Sequence, residues 1–240
     1  MNFKKYSFKD LVNIKLTIKT YLLALFIFTF YRLILFTIEK PLLLIDTSIK
    51  DVLSAFLMGL RFDLVIISYL CIIPYLLTSF IVLFRVKSKF VFYSIYSMVC
   101  ALFCFAFAIS SADISYFHHF FNRFTLSAFK WFDQSPSFVF NMIIEEPLYW
   151  MAFIPFIASI FIFSKLLLHS YRSSFEQFKN VKASPIVLVV FLSFVFLVII
   201  VLLARGRLER KSPIRTGSAF IFKDPLLNQL GLNPNFTFFK

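Results

Sequence analysis

Five long apolar runs decide what this chain can become. They cover residues 21–38, 64–84, 90–110, 148–168 and 185–204. A helix needs ~20 residues to cross a hydrocarbon core, so each run is long enough to do so. In lipid no water pairs a bare peptide group, so a spanning segment must close its own hydrogen bonds as a helix or join a closed barrel. Barrel strands are shorter and alternate polar with apolar residues, which these runs do not. The sequence therefore predicts an all-α membrane protein with about five transmembrane helices, outer-surface helices and a short exterior C-terminal tail. Pro74 and Pro155 fall inside the second and fourth runs and are expected to kink them, as membrane helices tolerate.

Composition agrees. Hydrophobic residues make up 60% of the chain and charged residues 15%, too few charges to coat a soluble surface of this size. Phe is used 37 times and Gly only 4 times, a choice that suits helices facing acyl chains. Cys71, Cys100 and Cys104 all lie within apolar stretches and read as small buried residues rather than as a metal set.

The net charge of +13 does not point to nucleic acid, because the basic residues are split into short clusters between the runs. Lys4, Lys5, Lys9, Lys15 and Lys19 precede the first run, with Asp10 as the one acid; Arg85, Lys87 and Lys89 follow the second. Lys165, Arg172, Lys179 and Lys182 lie around the gap after the fourth, with Glu176. Five crossings put all three clusters on one side, and the positive-inside rule makes that side the cytoplasm. The reading is a multi-pass protein of a bacterial cytoplasmic (inner) membrane, N-terminus inside and C-terminus outside. Its first run acts as an uncleaved signal anchor.

Two segments then face outward between spans. Residues 39–63 are moderately apolar and are expected to hold a helix lying on or dipping into the outer surface. Residues 111–147 carry Asp113, His118, His119, Arg123, Lys130, Asp133, Glu145 and Glu146. The tail from 205 to 240 is polar, with Pro213, Pro225 and Pro234; seven basic less two acidic residues give it +5. It reads as the start of a larger exterior domain. The division is thus a transmembrane domain over 1–204 and an exterior linker over 205–240.

Five residues stand out as lipid-headgroup or structural candidates: Arg32, Arg61, Asp63, Asp113 and Arg123. Arg32 lies in the outer half of the first run, where a charge is expensive. It either snorkels to the headgroups or is buried against an acid such as Asp63. Arg61 and Asp63, two apart, do not face each other on a helix and are expected to find different partners. Arg61 is placed to meet a lipid phosphate or to serve structurally at the interface, and Gly59 to let helices approach closely. Asp113 and Phe117 share a helical face, whereas His118 and His119 point apart. There is no phosphate-binding glycine loop, no Gly-x-Ser-x-Gly elbow and no His-Glu-x-x-His motif, so no residue is assigned as catalytic, cofactor-binding or metal-ligating.

Gly59-Leu60-Arg61-Phe62-Asp63-Leu64, then Ala112-Asp113-Ile114 with Tyr116, Phe117 and Arg123, resemble the membrane domain of lipoteichoic acid synthase-like proteins. Ser212-Pro213-Ile214-Arg215, Asn228-Gln229-Leu230 and Leu232-Asn233-Pro234 resemble the linker before that family's exterior domain. These are phosphoglycerol transferases of the sulfatase superfamily. The resemblance implies a nucleophilic Thr and a divalent metal, manganese or magnesium, in an exterior domain that this sequence does not contain, taking glycerol phosphate from phosphatidylglycerol. It implies an anchoring role for the present chain, with no cofactor of its own. Membrane lipids, phosphatidylglycerol among them, and a separately encoded catalytic chain are the partners it implies. A stand-alone envelope scaffold or interaction protein is the alternative.

Overall fold

A computed structural model describes residues 11–130, 136–180, 186–207 and 212–239. Lys4, Lys5, Lys9, Asp10, Asp133, Lys182 and Pro185 lie outside the described residues. The helices are α1 (Val12–Glu39), α2 (Ile49–Phe84), α3 (Lys89–Phe120), α4 (Pro136–Glu145), α5 (Pro147–Asn180), α6 (Ile186–Arg205), α7 (Pro225–Leu230) and α8 (Pro234–Phe238), with no strand among the described residues. Five of them, α1, α2, α3, α5 and α6, are long and apolar enough to cross a membrane.

Each helix starts and stops for local reasons. The Ser48 hydroxyl accepts hydrogen bonds from the Lys50 and Asp51 amides at 3.1 and 3.3 Å, satisfying donors that a helix N-terminus leaves unpaired. Ser88 caps α3 in the same way. Arg85 and Phe121 end α2 and α3 in the left-handed region, with φ of 53° and 52°, a conformation that closes a helix but suits side chains poorly. Helices α2 and α5 run on through Pro74 and Pro155. The Thr78 hydroxyl donates to the Pro74 carbonyl at 2.6 Å and the Tyr31 hydroxyl to that of Pro155 at 3.3 Å.

The helices outrun the apolar runs. Expected as a separate surface element, the helix within 39–63 is instead, over 49–63, the first two-fifths of α2. That helix continues unbroken for 36 residues, about 54 Å at 1.5 Å per residue. Nothing between the Ser48 cap and Arg85 breaks it. Ile49, Leu53 and Leu57 on this first part are exposed. A separate short helix, α4, packs on α5.

Helix α1 is central and touches α2, α3 and α5, while α6 lies against α2. Phenylalanine does more than face lipid. Phe28, Phe103, Phe107 and Phe163 stack in the core, with Phe28–Phe107 and Phe107–Phe163 edge-on at 5.6 and 5.3 Å, a favourable aromatic geometry. Outside, Leu22, Phe26, Phe30, Tyr69, Ile73, Phe80, Phe191 and Phe194 are exposed, an apolar girdle far too large for water.

Five crossings leave the bundle with two unlike ends. At one, Lys15 Nζ donates to Gln177 at 2.8 Å and Lys87 Nζ to the Lys179 carbonyl at 3.2 Å, so the basic clusters gather there. The C-terminal tail folds over the other.

Candidate functional site

A charge in an apolar helix must find a counter-charge, and Arg32 does. Its Nη2 donates to Asp63 Oδ1 at 2.7 Å, with both side chains buried. Arg32 Nε donates to the Leu230 carbonyl in the tail at 3.0 Å. The buried alternative for Arg32 is therefore the observed one. Gly59 is what lets the guanidinium through, since a Cβ there would lie 2.3 Å from both Arg32 Cζ and Nε. The close approach predicted at Gly59 is thus helix to arginine.

A second buried pair stands beside the first. Arg123 Nη1 donates to Asp113 Oδ2, and the other carboxylate oxygen accepts from the Phe124 amide at 2.7 Å. Arg123 also reaches the tail, giving Nε and Nη2 to the Gln229 carbonyl at 2.9 and 2.7 Å. Phe117, on Asp113's face as expected, is buried and lies beneath the Arg123 guanidinium at 5.7 Å, a cation–π distance.

The tail completes both pairs. Asn233 Nδ2 donates to Asp63 Oδ1 at 2.7 Å, and Asn235 Nδ2 to Ser110 Oγ at 3.0 Å. Asp224 pins the tail to the loop between α1 and α2, accepting from the Leu44 amide at 3.0 Å and the Thr47 hydroxyl at 2.6 Å. Leu226, Leu227, Leu230 and Leu232 are buried with it. The segment expected as a polar exterior linker is, over 212–239, a docked cap. Beneath it Arg32, Asp63, Ser110, Asp113, Arg123 and Asn233 line a cavity of about 20 Å³. Among the described residues Arg32 Nη1 and Asp63 Oδ2 have no protein partner, and the size and polarity of this cavity suit one water.

Arg61 stands apart. It is exposed, and its Nε donates to the Gly206 carbonyl at 2.6 Å. Arg61 and Asp63 do find different partners, as their spacing requires. Gly206 adopts φ +67°, and a Cβ on it would come within 2.7 Å of Ile214 and Val65, so glycine is needed there on both counts.

His118 Nδ1 lies 2.8 Å from Glu39 Oε1, tying α1 to α3, while the His119 ring stacks on Tyr149 at 5.6 Å. The resemblance places its divalent metal in an exterior domain and not in this arrangement. Among the described residues no three His, Cys, Asp or Glu side chains gather to hold an ion, and Asp63 and Asp113 are each engaged by an arginine. No family model, curated protein or solved structure matches the chain.

Sequence reasoning singled out both arginine–aspartate pairs by residue but joined only Arg32 with Asp63. It missed Asp224 and Asn235 altogether. The signal for Asp224 was present: Asp224-Pro225, like Asn233-Pro234, is a capping residue followed by proline, the start of a helix.

Proposed function

We propose that the chain is the membrane-anchoring domain of a cell-envelope phosphoglycerol transferase of the lipoteichoic acid synthase-like, sulfatase-superfamily kind. It sits in a bacterial cytoplasmic membrane with its tail outside. One observation supports this above the rest. The segments that carry the resemblance are remote in sequence, yet Gly59 and Asp63, Asp113, Arg123, and Gln229 to Asn233 meet in a single buried cluster.

In this reading the two ion pairs are a fixture. Burying them is costly unless partners are supplied, and the tail supplies several, at the Leu230, Gln229 and Leu232 carbonyls. The chain therefore leaves the bundle along one fixed path, and a domain attached beyond it is held at a set height above the lipid. Group transfer belongs to that metal-bearing domain, outside these 240 residues. Phosphatidylglycerol is the donor that the resemblance implies.

Sequencing the DNA after codon 240, with co-purification of the chain in detergent, tests the assignment. A sulfatase-like frame continuing from the tail, or encoded apart and co-purifying with the chain, is the expected result. Neither frame, together with a stable non-enzymatic partner, would move the assignment to an envelope scaffold.

A further inference from the structure

We propose that Arg61, Arg207 and Arg215 form a docking site for the phosphate of an anionic membrane lipid, at headgroup level on the tail-bearing face. Helix α6 sets that level. It is 20 residues long, or about 30 Å, the thickness of the hydrocarbon core. Its sequence is apolar from Ile186 to Ala204 but for Ser193. A helix of that length fills the core from end to end, so Gly206 and Arg207 stand where the phosphates begin. The bond from Arg61 Nε to the Gly206 carbonyl, at 2.6 Å, holds Arg61 at the same depth.

The tail returns the backbone of a third arginine, Arg215, to this corner. Arg207 Nη2 donates to Ser218 Oγ. Ser218 is bound to Arg215 through its amide, which donates to the Arg215 carbonyl at 2.9 Å. Ile214, buried against Phe62 and Val65, fixes the strand of chain between them, and its amide donates to the Arg205 carbonyl at 3.2 Å. Arg61 and Arg215 are exposed and Arg207 is half-buried. Among the described residues none of the three forms an ion pair, in contrast to Arg32 and Arg123.

Like charges at one corner repel one another, and the bonds that hold Arg61 and Arg207 account for only part of the donors of each. Arg61 spends Nε on the α6 C-terminus and Arg207 spends Nη2 on Ser218. The forks left over match the paired oxygens of a phosphate. A soluble phosphate offers the same oxygens, but a lipid also places its chains against the exposed apolar flank of α6, where Val198, Ile199, Val201 and Leu202 face outward.

The site rests on the membrane reading above and not on the transferase assignment. An absent catalytic frame would leave a lipid-binding result intact, and unselective lipid binding would leave that assignment where it stands. The test is native mass spectrometry of the whole chain in neutral detergent, titrated with dioleoyl phosphatidylglycerol or dioleoyl phosphatidylcholine. Wild type should retain phosphatidylglycerol preferentially. Substituting Arg61→Gln, Arg207→Gln and Arg215→Gln together should cut retention about tenfold or more, since each basic residue near the surface adds measurably to anionic-lipid binding. The charge-matched set Arg85→Gln, Lys87→Gln and Lys89→Gln, at the opposite end, should leave it unchanged.

Equal retention in the first set, or equal loss in the second, overturns the proposal. So does displacement of the lipid by glycerol 3-phosphate at the same concentration, which would reassign the corner to a soluble phosphate. Arg215→Gln alone removes an exposed side chain and serves if the triple variant unfolds. It should lower retention about threefold, and unchanged retention counts against the site.

Discussion

A glycine within a membrane helix usually marks where two backbones touch, but Gly59 marks where an arginine passes. Replacing it by alanine would normally gain about 1 kcal/mol of helix propensity. Here the new Cβ would lie 2.3 Å from Arg32 Cζ, forcing the guanidinium off Asp63 and the Leu230 carbonyl. Breaking a buried pair costs roughly 3–5 kcal/mol, so Gly59→Ala should destabilise by about 2–4 kcal/mol. Gly217, with no heavy atom within 4 Å of a built Cβ, supplies the control. Thermal unfolding in detergent should fall for Gly59→Ala and hold for Gly217→Ala. Equal midpoints would mean that Arg32 is not confined there. The same logic separates charge from packing at Asp63. Asp63→Leu leaves the Arg32 charge buried and unpaired, whereas Arg32→Leu with Asp63→Leu removes both charges. The double variant should therefore be more stable than the single by about 1–3 kcal/mol. A double variant that is worse, by the sum of its parts, would show the two side chains acting independently.

Among the elements, the spanning helices were legible because apolarity alone forces a helix in lipid, and the apolar runs mark α1, α2, α3, α5 and α6. Their ends were not. Helix α2 begins at Ile49, well before the second run, because the residues from Ile49 to Arg61 mix polar with apolar and hydropathy cannot extend a span through them. The Ser48 cap was the readable clue. The tail was hidden for the opposite reason: it is polar, proline-rich and charged, as an exposed linker is. It docks by giving backbone carbonyls to two buried guanidiniums, and a backbone carbonyl has no signature in sequence. Asp224 anchors this cap through three hydrogen bonds, to the Leu44 and Leu226 amides and the Thr47 hydroxyl. Asp224→Ala should raise amide hydrogen exchange in 43–47 and in 222–230 together, by tenfold or more if about 1.4 kcal/mol of the cap's stability is lost. Exchange that rises in only one of the two segments would show that the loop and tail are not joined through this carboxylate.

Over the whole molecule, two charge distributions compete to orient the chain. Lys15, Lys19, Lys87 and Lys179 collect at one end of the bundle, and the tail over the other end carries +5. Short loops beside spans govern insertion, while longer translocated segments count for less. Three basic segments on one side should outweigh one tail on the other, particularly a tail whose Arg207 is tied to Ser218. The expected orientation puts the tail outside. A phosphatase that works only outside the cytoplasm, fused after Lys240, should be active, and the same enzyme fused after Lys179 should not. A cytoplasm-restricted reporter should give the inverse pattern. If it instead worked after Lys240, the arginine corner at Gly206 would meet the inner leaflet, and an exterior domain could not be carried by this tail. Depth and side are thus separable: the length of α6 puts that corner at the headgroups in either orientation, and only the fusions decide which headgroups they are.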